Sequence, residues 1–393
     1  MRIFRVLEKI IQWREKEMKF ISGPRQVGKT FIAREASSRY FNWDTVEVKK
    51  AFQKNPYFFR DLSADDRLVV FDEIHKRRDW KKLLKGYFDS PDKDEDFLVT
   101  GSGRFDQYRR GGDSLQGRYF AYVLWPLCLD EICVEDQSSV KLNQPRIFSE
   151  WAPPKSGCDD ADLIKFGGFP LAFIKKDPRY LNRWNRQYLE RLVKEDVLDF
   201  AALKNVDKLE LMVRLLPERI TSPVSEKSLG EDVEVSPITI KNWLRLLNVL
   251  YFMFPVNPFS RKIQRSVKKE KKWYFYQWNF DQENEAARFE NYMAVQLSLT
   301  CSYWTQQGFG KYELYYLRDQ DRREVDFVIT KDLRPVCLVE TKLSDSQVPA
   351  SLKYYCDKLN IPGFLVYPEG AVTKFEYGYK TTSSKFLKGL VCS

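Results

Sequence analysis

The chain has 393 residues, of which 43% are hydrophobic and 31% charged, with a formal net charge of +10 and an isoelectric point near 9.0. This length exceeds what a single hydrophobic core organises, so two or three domains are expected, and the apolar fraction excludes a disordered chain. A single histidine, His75, excludes mechanisms that need two, and seven cysteines without a C-x-x-C pair argue against a zinc site or a disulfide framework.

The opening stretch MRIFRVLEKIIQWREKE is charged and helical in period, unlike a signal peptide, and no apolar run approaches bilayer length. A cytoplasmic protein without a membrane partner is the expectation. Next, MKFIS predicts a short strand, GPRQVGKT a turn and TFIAREASSRYF an amphipathic helix. The turn, Gly23, Pro24, Arg25, Gln26, Val27, Gly28, Lys29 and Thr30, has the spacing G-x-x-x-x-G-K-[ST] of a phosphate-binding loop. Its backbone N–H groups would face phosphate oxygens at a helix N-terminus, Lys29 would reach the outer phosphates, and Thr30 would hold Mg²⁺.

An apolar strand then runs into two acids in RLVVFDEIHK. Asp72 would secure the magnesium through water and Glu73 would polarise the attacking water. The bland alternative for one such acid is a strand cap. A second apolar strand, FLVTGSG, ends where Thr100 or Ser102 could sense the γ-phosphate. SPDKDED lacks the Gly and Glu of a calcium loop and reads as a solvated turn. Arg104, Arg109, Arg110 and Arg118 surround a Gly-rich segment and are candidates for an arginine finger, with Arg118 chosen, although such arginines are more often surface charges.

In the middle of the chain, SEKSLGEDVEVSPITIKNWLRLLNVLYFM predicts a helix around Leu229, a turn, and a second helix with Ile240, Trp243, Leu244 and Leu247 on one face. This is the pattern of a helix-turn-helix or winged helix. Thr239, Lys241, Asn242 and Arg245 would lie on its exposed face, suited to phosphates or bases, although such folds also bind proteins. Residues 261–272, RKIQRSVKKEKK, carry seven Lys or Arg against one Glu and read as a solvated turn, with a nucleic-acid contact as the alternative. WYFYQW, immediately after, reads as a core strand.

The last part contains EVDFVIT and LVETK. Alternation puts Asp326 opposite the apolar face of its strand, and Glu340 and Lys342 side by side on the next. If the strands pair, the three converge. Two carboxylates can hold a hard cation, Mg²⁺ or Mn²⁺, and the lysine can orient water for attack on phosphorus. The set looks like the PD-(D/E)xK nuclease signature, and Glu290 resembles the additional acid of such enzymes. Charged residues also flank ordinary strands.

Taken together, GPRQVGKT, VVFDEIHK, VTGS and LQGRYFAYVLWPL, followed by GGFP and YLERLVKEDV, resemble a prokaryotic family of AAA-type ATPases. That family carries a winged helix and a restriction-endonuclease-like domain behind the ATPase. Departures are GSG in place of a commoner GSS, and YFYQWN where many members have an Asp-Gly pair. The resemblance implies an α/β fold with a P-loop AAA-like domain over residues 1–135, a helical connector and winged helix over 136–272, and a nuclease-like domain over 273–393. It implies ATP with Mg²⁺ as cofactor; the helix-turn-helix pattern, the basic run and the nuclease-like acids make a nucleic-acid partner, DNA before RNA, the expectation, beside a protein partner or a second copy of the chain. In one reading the nucleotide state gates a nuclease; in the other the C-terminal domain grips a partner without cutting it.

Overall fold

The computed structural model describes residues 3–11, 18–60, 67–90, 95–101, 115, 117–134, 140–154, 158–197, 205–260, 270–280 and 283–392. They form two compact units: residues 11–125 with 249–251, and residues 1–10, 126–248 and 252–393.

The smaller unit is built on a five-stranded parallel sheet of β1 (Met18–Ser22), β2 (Tyr40–Asn42), β3 (Leu68–Asp72), β4 (Asp96–Thr100) and β5 (Tyr119–Val123), in the order β2-β3-β4-β1-β5. MKFIS and LVVFD are buried at every position, as expected of parallel strands covered on both faces. On one face Phe20, Phe59, Phe71, Trp80, Leu84, Tyr87 and Phe97 form the core. Phe59 packs edge-on against Phe71 at 5.6 Å, and Phe71 stacks on Phe97 at 6.2 Å. The carboxyl ends of β1, β3 and β4 are thereby held level, and the functional residues follow them.

The larger unit holds a nine-stranded sheet of β6 (Pro223–Val224), β7 (Met253–Pro258), β8 (Lys271–Phe275), β9 (Tyr312–Arg318), β10 (Glu324–Lys331), β11 (Arg334–Thr341), β12 (Gly363–Tyr367), β13 (Thr373–Phe375) and β14 (Gly378–Thr382). Its order is β13-β14-β12-β11-β10-β9-β7-β8-β6. A boundary at residue 272 therefore falls inside β8, which pairs with both β6 and β7.

Before β8 the elements run helix Val206–Leu215, β6, helix Glu226–Asp232, helix Pro237–Val249, β7. Ser225 caps the second of these helices through its side chain, and Ile240, Trp243, Leu244 and Leu247 of the third are buried, as their spacing predicts. Lys241, Asn242 and Arg245 are exposed. After β8 come the 22-residue helix Glu285–Gln306, three antiparallel strands β9, β10 and β11, the helix Ala350–Leu359 and the parallel strand β12. Asn284 starts the long helix by accepting from Ala286 N at 3.0 Å and Ala287 N at 3.2 Å. WYFYQW is core, with Trp273, Tyr274, Phe275, Tyr276, Gln277 and Trp278 all buried.

One expectation is corrected here. Cys133 and Cys158 form a disulfide, their Cα atoms 5.9 Å apart across 25 residues of sequence, where the absence of a C-x-x-C pair had argued against such pairing. The fold brings the end of the helix Leu129–Cys133 beside Cys158, a proximity that spacing does not encode. The opening helix covers Val6–Ile10 among the described residues and belongs to the larger unit. No helix among the described residues is long and apolar enough to cross a membrane.

Candidate nucleotide site and C-terminal carboxylate cluster

Gly23 follows β1 with φ 150°, and a Cβ there would lie 2.3 Å from the carbonyl oxygen of Leu124. Only glycine fits, both for its conformation and for the close approach of backbone. Gly28, at φ 107°, closes the loop and opens the helix Lys29–Ala36. Lys29 is buried, and its Nζ donates to Gly23 O at 2.9 Å and Pro24 O at 2.7 Å. The ammonium is thus held within the curve of the loop.

Asp72, buried at the end of β3, gathers three hydroxyls. Thr30 Oγ1 donates to its Oδ2 at 2.9 Å, Tyr40 OH to the same oxygen at 2.5 Å, and Thr100 Oγ1 to Oδ1. Thr30 and Asp72 stand 42 residues apart in sequence and in direct contact in space. The Thr100 hydroxyl is committed to Asp72, and Ser102 lies outside the described residues, as do Arg104, Arg109 and Arg110. Tyr40 was not singled out by any motif. It reaches Asp72 because β2 pairs with β3 in register, and burial with the bond to Asp72 pushes its hydroxyl up to about 12.

Glu73 adopts the left-handed conformation, φ 60° and ψ 22°, where the chain leaves β3, and its N–H donates to Thr100 O at 3.0 Å. Burial raises its carboxyl above the ordinary value, against the pull of Lys29 and Lys76, so it is a stronger base than a surface glutamate. His75 Nε2 lies 3.5 Å from Glu73 Oε2. Burial, then Lys76 and Lys29, lower the imidazole to about 4. The unfolded chain takes up that proton near pH 6.5, so between about 4 and 6.5 it binds more protons than the fold, and stability is lost as pH falls through this window. As the only histidine, His75 should give a single imidazole resonance that stays neutral from pH 7 down to about 5. A midpoint near 6.5 would contradict the burial account.

Arg118 does not join this site. It precedes β5 and is paired with Asp89, Nε to Oδ1 at 2.8 Å, while its carbonyl accepts from Met18 N at the start of β1. It therefore sits at the end of the sheet opposite Gly23, a five-residue strand away, or roughly 16 Å at about 3.3 Å per residue.

In the larger unit the four sequence candidates come together. Lys342 Nζ donates to Glu340 Oε1 at 3.0 Å, Asp326 N to Glu340 Oε2 at 3.3 Å, and Thr341 N and Oγ1 to Asp326 Oδ2 at 2.9 and 2.7 Å. Glu290, on the long helix, accepts from Tyr274 OH at 2.7 Å. Three residues not expected there complete the cluster: Lys272 and Tyr274 of β8, and Glu324 of β10. Lys272 is buried, with Nζ 2.7 Å from Glu324, 3.2 Å from Glu290 and 3.5 Å from Asp326.

Burial, and then repulsion from Asp326, raise Glu290 to about 8 and Glu340 to about 7. For Lys272, burial disfavours the charge but is outweighed by Glu290, Asp326 and Glu324, which raise it.

The two sites differ as hosts for a metal. In the smaller unit a loop that tolerates no Cβ at Gly23, a buried ammonium and the Thr30–Asp72 contact suit a magnesium nucleotide. In the larger unit the carboxylates already bond to ammonium, hydroxyl and N–H groups, and no group of three or more His, Cys, Asp or Glu among the described residues is arranged to hold a metal ion. The expected cation set Glu290, Asp326 and Glu340 does not fit one.

Comparison with known proteins follows the same division. Residues 160–277 and 286–387 match two domains of unknown function (DUF8612 and DUF4143). Uncharacterized protein MJ1544 of Methanocaldococcus jannaschii is 23% identical over 358 residues, covering 86% of this chain and 78% of that protein. Uncharacterized protein MJ1637 of the same organism is 21% identical over 301 residues, 67% of this chain and 62% of that protein. Among solved structures, a signal transduction ATPase with numerous domains (STAND) bearing a tetratricopeptide repeat sensor, from Pyrococcus horikoshii, covers 79% of this chain at 12% identity and a TM-score of 0.24; the match spans 45% of that protein. Residues 15–133 match the AAA domain, and the parallel sheet with its loop after β1 is the part of the chain that carries it.

Proposed function

We propose that this chain binds ATP with Mg²⁺ and hydrolyses it in the smaller unit, and that the larger unit is a nucleotide-controlled module that binds nucleic acid without cutting it. The observation that carries the first half is the 2.9 Å contact of Thr30 with Asp72 beside a buried Lys29. On this reading Lys29 exchanges its bonds to Gly23 and Pro24 carbonyls for phosphate oxygens, and the loop N–H groups take the remainder. Thr30 and Asp72 hold the ion, which supplies neutralisation of phosphate charge when bound. Glu73 accepts the proton of the attacking water, its basicity raised by burial. Tyr40 and Thr100 fix the rotamer of Asp72. Lys29→Ala should therefore weaken ATP binding by at least about tenfold while leaving the fold intact. Equal nucleotide affinity in parent and variant would reject the assignment.

For the larger unit, the order helix, β6, helix, helix, β7, β8, with β8 between β6 and β7, supports the winged-helix reading. Lys241 and Arg245 are exposed on its last helix, and their charges, after burial, lower the ammonium of Lys271 on β8, so the three cations share a surface. A helix presenting such a face suits the wide major groove of B-DNA better than the narrow one of duplex RNA. The double variant Lys241→Ala/Arg245→Ala should bind DNA more weakly, with a salt slope shallower by about two phosphate contacts. An unchanged slope would favour a protein partner. Cleavage is the second reading, favoured by the meeting of Asp326, Glu340 and Lys342.

A further inference from the structure

The carboxylate cluster of the larger unit contains a cation of the protein's own. The Lys272 side chain is 1% exposed, and its Nζ lies within 3.5 Å of carboxylate oxygens from Glu324, Glu290 and Asp326. We propose that Lys272 is the resident cation of this cluster, standing among Glu290, Glu324 and Asp326, and that the cluster binds no divalent ion while Lys272 is in place. The inference rests on the reading of this unit as a nuclease-like fold that does not cut.

Three observations converge on it. First, each of the three acids already accepts bonds from the protein: Asp326 Oδ2 accepts two from Thr341, Glu340 Oε1 and Oε2 accept from Lys342 Nζ and Asp326 N, and Glu290 Oε1 accepts from both Lys272 and Tyr274. Mg²⁺ demands near-octahedral oxygen at roughly 2.0–2.1 Å, which these carboxylates reach only by giving up those partners. Second, the charges are nearly balanced. Glu290, Glu324, Asp326 and Glu340 are answered by Lys272, Lys342 and Arg318, the last 3.5 Å from Glu324. A further double charge would leave the cluster cationic. Third, the lysine is delivered by the fold. Lys272 and Tyr274, two residues apart on β8, face the same side and both bond Glu290. Lys271 feels the charges of Arg245 and Lys241. One strand therefore carries a cation to the acids and another to the exposed basic helix, which ties the carboxylate cluster to the nucleic-acid face.

The test is a Mn²⁺ titration of the full chain without nucleotide, read by electron paramagnetic resonance, on the parent, Asp326→Asn, Lys272→Ala and the double variant. Parent and Asp326→Asn should titrate identically. Lys272→Ala should gain one Mn²⁺ site at least about tenfold tighter than any in the parent, and Asp326→Asn in that background should remove it. An affinity in the parent that falls tenfold in Asp326→Asn overturns the proposal, as does a folded Lys272→Ala protein with no gain. If Lys272→Ala does not fold, the parent against Asp326→Asn decides alone. Circular DNA incubated with the same parent preparation reports on the non-cutting reading separately, since cleavage there would reject that reading whatever the manganese titration gives.

Discussion

Glu73→Gln protein should bind ATP as the parent does and turn it over about 100-fold more slowly or worse, because a general base contributes on the order of 10²–10⁴ to such a step. The side chain is isosteric, so the turn after β3 and the bond from Glu73 N to Thr100 O are retained. What is lost is a carboxylate whose proton affinity burial has raised, lying beside a neutral His75. The left-handed backbone at Glu73 costs about 1 kcal/mol or more, which the surrounding bonds must hold. Binding measured with a fluorescent ATP analogue, next to phosphate release, separates the two effects. Parental turnover in Glu73→Gln would remove Glu73 from the chemistry.

The second large effect is on stability. Lys272→Met keeps most of the side-chain volume and removes the charge, leaving Glu290, Glu324 and Asp326 facing one another in a largely buried site. Breaking a buried ion cluster from one side costs about 3–5 kcal/mol. By contrast the Lys76–Asp44 pair, with side chains 43% and 46% exposed, should change stability by about 1 kcal/mol or less when broken. Adding Glu290→Gln to Lys272→Met should recover part of the loss, since one of the stranded charges is then gone. Thermal unfolding of the parent, Lys272→Met and Lys272→Met/Glu290→Gln proteins checks this, and a loss below about 1 kcal/mol for Lys272→Met would mean that water reaches the cluster.

These two predictions also mark how far the sequence could be read. Gly23 to Thr30 and Asp72-Glu73 were legible because each motif is contiguous, and because the strand, turn and helix around the loop announce themselves by period. The buried faces of the helix Pro237–Val249 and of WYFYQW were legible for the same reason. Asp326, Glu340 and Lys342 followed from strand alternation, given that β10 and β11 pair.

What was not legible depends on which strands are neighbours. Lys272 closes a run that reads as a solvated turn, yet it is almost wholly buried, because β8 is inserted beside β7 and the long helix lies across it. Residues 261–269 of the same run lie outside the described residues. Tyr40 entered through the pairing of β2 with β3, and the Cys133–Cys158 bond through a loop return. Arg118 was drawn toward the nucleotide by a Gly-rich neighbourhood, whereas the register of β5 against β1 puts it at the far end of the sheet.

The central claim, that the Thr30–Asp72 contact beside Lys29 is an ATP-hydrolysing site, is tested most directly by steady-state phosphate release from ATP with Mg²⁺. Parent protein should turn over, and Lys29→Ala and Thr30→Ala proteins from the same purification should fall to background. Equal phosphate release from parent and both variants, or none from the parent with Mg²⁺ and ATP in excess, would contradict it.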